Sequence, residues 1–185
     1  TMIKRTASRN FAPREHALEM TFPITGALYP ICDEVEVVGS IRRMRAEVSS
    51  VEILCAPKIE TDLFGEPVPG EATSQLKVVA TLEAAGYTIT KDGPYFKCID
   101  LGQLKCYLYI TTLEKWGVMM VVRTGPEEFV HNMTTSKQEY GYMPSNLRVD
   151  QGRVWRGKTA LPTPNEQSVF ELWGMPFIPP FKRIR

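Results

Sequence analysis

Long hydrophobic runs are missing from this chain. No stretch approaches the roughly 18 apolar residues that a membrane span requires, and the opening residues TMIKRTASRN lack the apolar core of a signal peptide. No membrane partner is therefore expected, and the expected location is the cytoplasm. Histidine is scarce, with only His16 and His131, and the four cysteines, Cys32, Cys55, Cys98 and Cys106, have no CxxC spacing. No zinc is expected, and the cysteines are read as reduced core residues. Net charge is also small, at +1 over 185 residues, although it is unevenly spread. Residues 46–100 hold four Lys/Arg against nine Asp/Glu, whereas residues 123–185 hold nine against six. The C-terminal third is thus the side that favours a polyanion, though a solvated mixed-charge surface accounts for the same excess. At 43% hydrophobic and 23% charged, the composition carries no mark of disorder and supplies one substantial core or two small ones.

The stretch Val37 to Pro57, VVGSIRRMRAEVSSVEILCAP, predicts a strand, a glycine turn, a short basic helix and a second strand returning beside the first. Such a turn suits a phosphate chain. Gly39 lets the backbone come close, Ser40 offers a hydroxyl, and Arg42, Arg43 or Arg45 offers a planar charged fork. A solvated basic helix face is the competing account of the same arginines. On the second strand Ser50 and Glu52, two residues apart, point to one side. Taken alone, Glu52 suits an ion-paired strand position as readily as a metal ligand.

Elsewhere, Pro13-Arg14-Glu15 opens a helical pattern, with Ala17, Leu18, Phe22, Leu28 and Ile31 apolar and Pro23 splitting or kinking it. An acidic, proline-bearing loop is expected from Ile59 to Ser74. A helix follows over Gln75 to Ala85, burying Leu76, Val79, Ala80 and Leu82, with Gly86 as its stop. Tyr87–Thr90, Tyr95–Ile99 and Leu104–Ile110 alternate as strands, and Gly117–Val122 reads as a further apolar strand. Thr124-Gly125 then turns into a helix from Pro126 to about Glu139. A hairpin is expected around Asp150-Gln151-Gly152, and a last helix begins at Thr163-Pro164-Asn165-Glu166, with Thr163 as cap and Glu166 closing a capping box. Val169, Phe170 and Trp173 form its apolar face, Trp155 is expected in the core, and the tail IPPFKRIR is expected to be extended and basic.

The Gly-Ser turn, its arginine and the following strand resemble the palm signature of the family X DNA polymerases, the group that includes DNA polymerase beta. The likeness extends through KIETDLFGEP (Lys58 to Pro67), LEKWGVMMVVRTG (Leu113 to Gly125), MPSNLRVDQGRVWRG (Met143 to Gly157) and ELWGMPFIPPFKR (Glu171 to Arg183), which look like the small bacterial and phage members. The resemblance implies an α/β fold: a nucleotidyltransferase-type palm with a mixed sheet and flanking helices over residues 1–123, and a small α+β thumb over 124–185. It implies nucleotide contacts at Gly39, Ser40, Arg43, Thr124 and Gly125. It also implies three metal-binding acids, and two of those positions depart from the pattern: Ser50 stands at the first and Tyr107 at the third, leaving Glu52. Ser49 replaces a glycine in the loop before them. Neither Glu47 nor Asp100 is placed to substitute.

Family X transfer needs two magnesium ions held between carboxylates and a triphosphate. Glu52 with a triphosphate could hold one Mg2+ or Mn2+ weakly. The resulting expectation is a protein that binds a nucleoside triphosphate and/or DNA, with catalysis impaired or lost. The basic residues Lys137, Arg148, Arg153, Arg156 and Lys158 are the candidates for the DNA backbone. Two other classes stay open: an active minimal family X nucleotidyltransferase, and a scaffold for an unknown protein partner that binds no nucleotide. The cell expected from the resemblance is bacterial or phage-infected.

Overall fold

The computed structural model describes residues 10–59 and 71–183. In chain order these form β1 (Ala12–Pro13), α1 (Arg14–Glu19), α2 (Phe22–Leu28), β2 (Cys32–Val37), α3 (Gly39–Arg42), β3 (Glu47–Val48), β4 (Val51–Pro57), α4 (Glu71–Ala84), β5 (Ile89–Gly93), β6 (Phe96–Asp100) and β7 (Lys105–Ile110). After them come α5 (Trp116–Thr124), α6 (Glu127–Thr134), β8 (Arg148–Asp150), β9 (Arg153–Arg156), β10 (Thr159–Leu161) and α7 (Glu166–Trp173). The apolar pattern after Pro13 is split into two helices because Pro23 falls in the first turn of α2, where its missing N–H costs nothing.

Five strands make one mixed sheet in the order β2-β4-β7-β6-β5, with β4 and β7 parallel and the other pairs antiparallel. Strand alternation sends Val51, Ile53 and Cys55 of β4 and Cys106, Leu108 and Ile110 of β7 to one face, where they share a core with Ala17, Ile24, Leu28, Val78 and Leu82. Leu54 and Ala56 face the other way and pack with Val38, Trp116 and Met120. The four cysteines are unpaired and buried.

The expected strand Gly117–Val122 is instead the middle of α5. Trp116 and Met120 pack on the sheet, while Val118 and Val121 join a second core with Phe129, Met133, Val154, Val169, Phe170 and Trp173. A short apolar run buried on all sides has no periodicity to separate strand from helix. Gly117 lets α5 meet the segment ahead of α7. Its N–H donates to the Thr163 carbonyl at 2.9 Å, and a Cβ there would lie 2.2 Å from the Asn165 carbonyl oxygen. Backbone cannot yield to that methyl, so Gly117→Ala is expected to cost about 1–3 kcal/mol, seen as a lower midpoint in urea unfolding.

Other boundaries also move. Of the loop expected at Ile59 to Ser74, residues 60–70 lie outside the described residues, and 71–74 already belong to α4. That helix buries Val78 and Leu82 and leaves Leu76 and Ala80 exposed, the reverse of the expectation for the latter pair. Both pairs are four apart, so the pattern offers two equivalent stripes. The helix expected to reach Glu139 stops at Thr134, where the run Thr134-Thr135-Ser136 favours turns, and Ser136 caps a short 3-10 helix, Lys137–Glu139. β8 and β9 form the expected hairpin, with Gln151 and Gly152 at φ 50° and 76°. β10, which the sequence did not suggest, adds a third strand. Trp173 is core, whereas Trp155 is half-buried beneath Arg148.

The last helix is capped by Asn165 rather than Thr163, and Ser168 rather than Glu166 closes the box. This frees Glu166 to turn inward. The tail is not an extended basic strand: Pro180–Lys182 is a 3-10 turn, and it carries Arg183 into the second core.

Candidate functional site

Antiparallel pairing of β2 with β4 delivers the Gly39 turn beside Glu52, and the Val38 N–H donates to the Glu52 carbonyl at 2.9 Å. Gly39 has φ +66°, a conformation that disfavours side chains. It also allows a close approach, since a Cβ at this position would lie 2.5 Å from the Glu52 carboxyl carbon. The Glu52 carboxylate thus packs directly over the glycine of the turn. Ser50 Oγ donates to Glu52 Oε1 over 3.4 Å. Across the parallel pair, Glu52 is in register with Tyr107. Ser50, Glu52 and Tyr107 are all half-buried, and with Ser50 just ahead of β4 reaching Glu52 and Tyr107 in register with it, the three positions where the resemblance expects acids fall together.

Two arginines fix the turn to the end of α5. Arg42 Nη1 donates to Thr124 Oγ1 at 2.7 Å and to Glu166 Oε2 at 2.9 Å, and Arg43 Nη1 donates to the Thr124 carbonyl. Arg45 is exposed, Ser40 is half-buried, and Gly125 has φ +67°. Arg43, Glu52, Tyr109, Val122, Arg123, Gly125, Pro126, Glu127 and Val130 line a cleft of about 510 Å³. Of the expected nucleotide residues, Arg43 and Gly125 line this cleft. Gly39, Ser40 and Thr124 lie in the segments behind it.

Burial pushes the Glu52 carboxyl above the ordinary carboxylate range, opposed by Arg43, then by the Ser50 hydroxyl, then by Arg123. Burial likewise lowers the Arg43 guanidinium from its ordinary value, with Glu52 opposing. The Tyr109 phenol is raised by burial and next by Glu52. The carboxylate therefore sits among guanidinium groups in a poorly hydrated place.

Arg123 and Tyr109 were not singled out from the sequence. The Arg123 guanidinium carbon lies 3.9 Å from the centre of the Tyr109 ring, and Tyr109 in turn lies beside Phe96, 5.6 Å between centroids. The available signal was alternation, because Tyr107 and Tyr109 must share a face with Glu52 once β7 pairs with β4.

The five basic residues expected at DNA are not drawn into this cleft. Arg148 pairs with Asp150 at 3.1 Å, and Arg153 pairs with Glu114. Lys137, Arg156 and Lys158 are exposed, Lys137 on the 3-10 turn and the other two at the β9–β10 end of the small sheet.

Among the described residues, no three His, Cys, Asp or Glu side chains are grouped to hold a metal ion. The family X two-metal centre needs several carboxylate ligands, and Ser50, Glu52 and Tyr107 do not fit it. What the cleft offers is charge and hydrogen-bond donors: two guanidinium groups and one half-buried carboxylate, beside the apolar Val122, Pro126 and Val130.

Compared with known proteins, no family model and no curated sequence matches this chain. Among solved structures, the crystal structure of Leishmania infantum polymerase beta in a ternary P/T complex superposes with a TM-score of 0.74 at 15% identity, over 95% of this chain and 77% of that one. The fold is accordingly polymerase beta-like, a mixed five-stranded sheet with flanking helices.

Proposed function

We propose that this chain is a reduced family X-like nucleotidyltransferase-fold protein, of the small bacterial or phage form, that binds a nucleoside triphosphate and has lost most of its transfer chemistry. In this reading residues 1–123 act as palm and 124–185 as thumb. Gly39, Ser40, Arg43, Thr124 and Gly125 frame the nucleotide, and Mg2+ or Mn2+ is at most a weak companion of Glu52 and the ligand's own phosphates. The observation that carries the reading is the register of Glu52 with Tyr107 and its nearness to Ser50, which leaves one carboxylate where three are needed. The polymerase beta-like fold and the arginine-lined cleft support a nucleotide in preference to a purely structural scaffold. DNA would meet the exposed Lys137, Arg156 and Lys158, with Arg148 and Arg153 adding less because each already has a carboxylate partner.

Calorimetry with ATP and with deoxynucleoside triphosphates, with and without EDTA, tests this. Binding is expected in both conditions, because charge-assisted contacts from an arginine need no metal. Arg43→Ala is expected to weaken it by roughly ten- to a hundred-fold, as each such contact contributes about 1.5–3 kcal/mol. No heat at millimolar nucleotide would sink the proposal.

A further inference from the structure

The strongest unexplained feature of the cleft is Arg123. It lies in the last turn of α5, is half-buried, and holds its guanidinium carbon over the Tyr109 ring. Tyr109 also shares a side-chain hydrogen bond with Arg123, and a guanidinium has further N–H bonds to give to another acceptor. The Arg123 Nε is buried with no hydrogen-bond partner among the described residues, and the Nε of Arg43 is in the same condition. Buried donors are almost always satisfied, so two unpartnered Nε groups on arginines lining one cleft mark guanidinium groups whose hydrogen-bonding capacity the chain itself does not fill. The cleft that holds them is large enough for a phosphate with an organic group attached, and Val122, Pro126 and Val130 give the less polar part of such a ligand somewhere to lie. Glu52 is the half-buried carboxylate among the lining residues, while Glu127 is exposed. The lining is formally balanced, but Glu127 is screened by solvent, so the half-buried part of the cleft sets two guanidinium groups against one carboxylate and favours an anion there.

We infer that Arg123 is an anion-binding residue that supplies, from the chain itself, the positive charge a divalent ion would bring, so that the cleft takes the phosphate group of a phosphate ester without metal. This rests on the nucleotide-binding reading for its site but not for its ligand, because the contact is with phosphate and is indifferent to a base. In this inference Glu52, which feels both Arg43 and Arg123 electrostatically, acts as their counter-charge rather than as a metal ligand.

The test is calorimetry in EDTA with two probes, inorganic pyrophosphate and ATP, on the wild type, Arg123→Leu and Arg123→Lys, with thermal melting to show that each variant is folded. Pyrophosphate is expected to bind the wild type. Arg123→Leu is expected to weaken it by roughly ten- to a hundred-fold, and Arg123→Lys by less, since an ammonium keeps the charge and loses the fork. If ATP binds and a folded Arg123→Leu holds both probes within two-fold of the wild type, the role of Arg123 is overturned while nucleotide binding stands. If pyrophosphate binds in an Arg123-dependent way and ATP does not, the inference stands and the nucleotide reading falls. Binding that appears only when Mg2+ is added overturns the inference, as does failure of both probes.

Discussion

Glu166→Ala is expected to lower the free energy of unfolding by about 3–5 kcal/mol. Glu166 is 5% exposed and accepts from two arginines far apart in sequence: Arg183 Nη1 at 2.6 Å and Arg42 Nη1 at 2.9 Å. The Arg183 side chain has no exposure at all. Its Nε and Nη2 donate to the Ile178 carbonyl at 3.0 and 2.9 Å, and its guanidinium carbon lies 5.1 Å from the Phe129 ring centre and 5.3 Å from that of Phe170. Removing the carboxylate strands this cation in a desolvated aromatic surround, and the resulting penalty is mostly that of an unpaired buried charge. Arg42 is about a fifth exposed, so Arg42→Ala leaves Glu166 still neutralised by Arg183 and is expected to cost clearly less. Since a domain has only about 5–15 kcal/mol in total, the first substitution should be visible at once in urea unfolding. A loss below about 1 kcal/mol for Glu166→Ala, or an equal loss for Arg42→Ala, would show that the network does not hold the tail. The network also reaches the candidate site, because Arg42 grips Thr124 with the same nitrogen that meets Glu166.

These contacts mark the limit of what could be read in advance. Short-period patterns were legible. The β2–α3–β4 unit and the Gly39 turn follow from glycine chemistry and strand alternation, which are local, whereas the pairing of Glu52 with the Tyr107 position joins strands distant in sequence and was implied by the resemblance alone. The hairpin at Gln151-Gly152 was legible for the same local reason. Features set by what lies on the far side of an element were not. The α5 run is apolar all round, and only its burial between two cores makes it a helix. Arg183 and Glu166 are charged residues near a chain end, which by composition belong on the surface, and it takes tertiary partners to bring them inside. Arg123 is not legible in this way, because a resemblance assigns roles to positions the family uses and is silent where this chain has something of its own. Its neighbours Tyr109 and Glu52 come from separate strands, so no spacing in the sequence announces the three together.

Restoring carboxylates at the two departed positions is the most demanding test of the proposed loss of chemistry. Ser50→Asp combined with Tyr107→Asp would put two acids beside Glu52, one just ahead of β4 and one in register across the parallel pair, roughly 5–7 Å away by strand geometry. Without metal the variant is expected to be less stable than the wild type. Like charges then crowd one sheet face, and Tyr107 no longer stacks on Phe96, a contact of 5.7 Å between ring centres. With Mg2+ or Mn2+ at about a hundred times its dissociation constant, ligand linkage returns about 2.7 kcal/mol, or about 5–10 °C in melting temperature for a chain of this size. The wild type is expected to show no such shift, because Ser50 and Tyr107 add no anionic ligand to Glu52. In primer extension on a gapped template with all four deoxynucleotides and Mn2+, the wild type is expected to be silent and the double variant active only when the ion is present. Robust extension by the wild type, abolished by Glu52→Ala, would overturn the proposal that transfer is impaired and promote the active minimal nucleotidyltransferase. A double variant that gains the melting shift but no extension would show that the missing carboxylates are not the whole of the loss, because an ion held in place without transfer means that the nucleotide or primer is not brought to it.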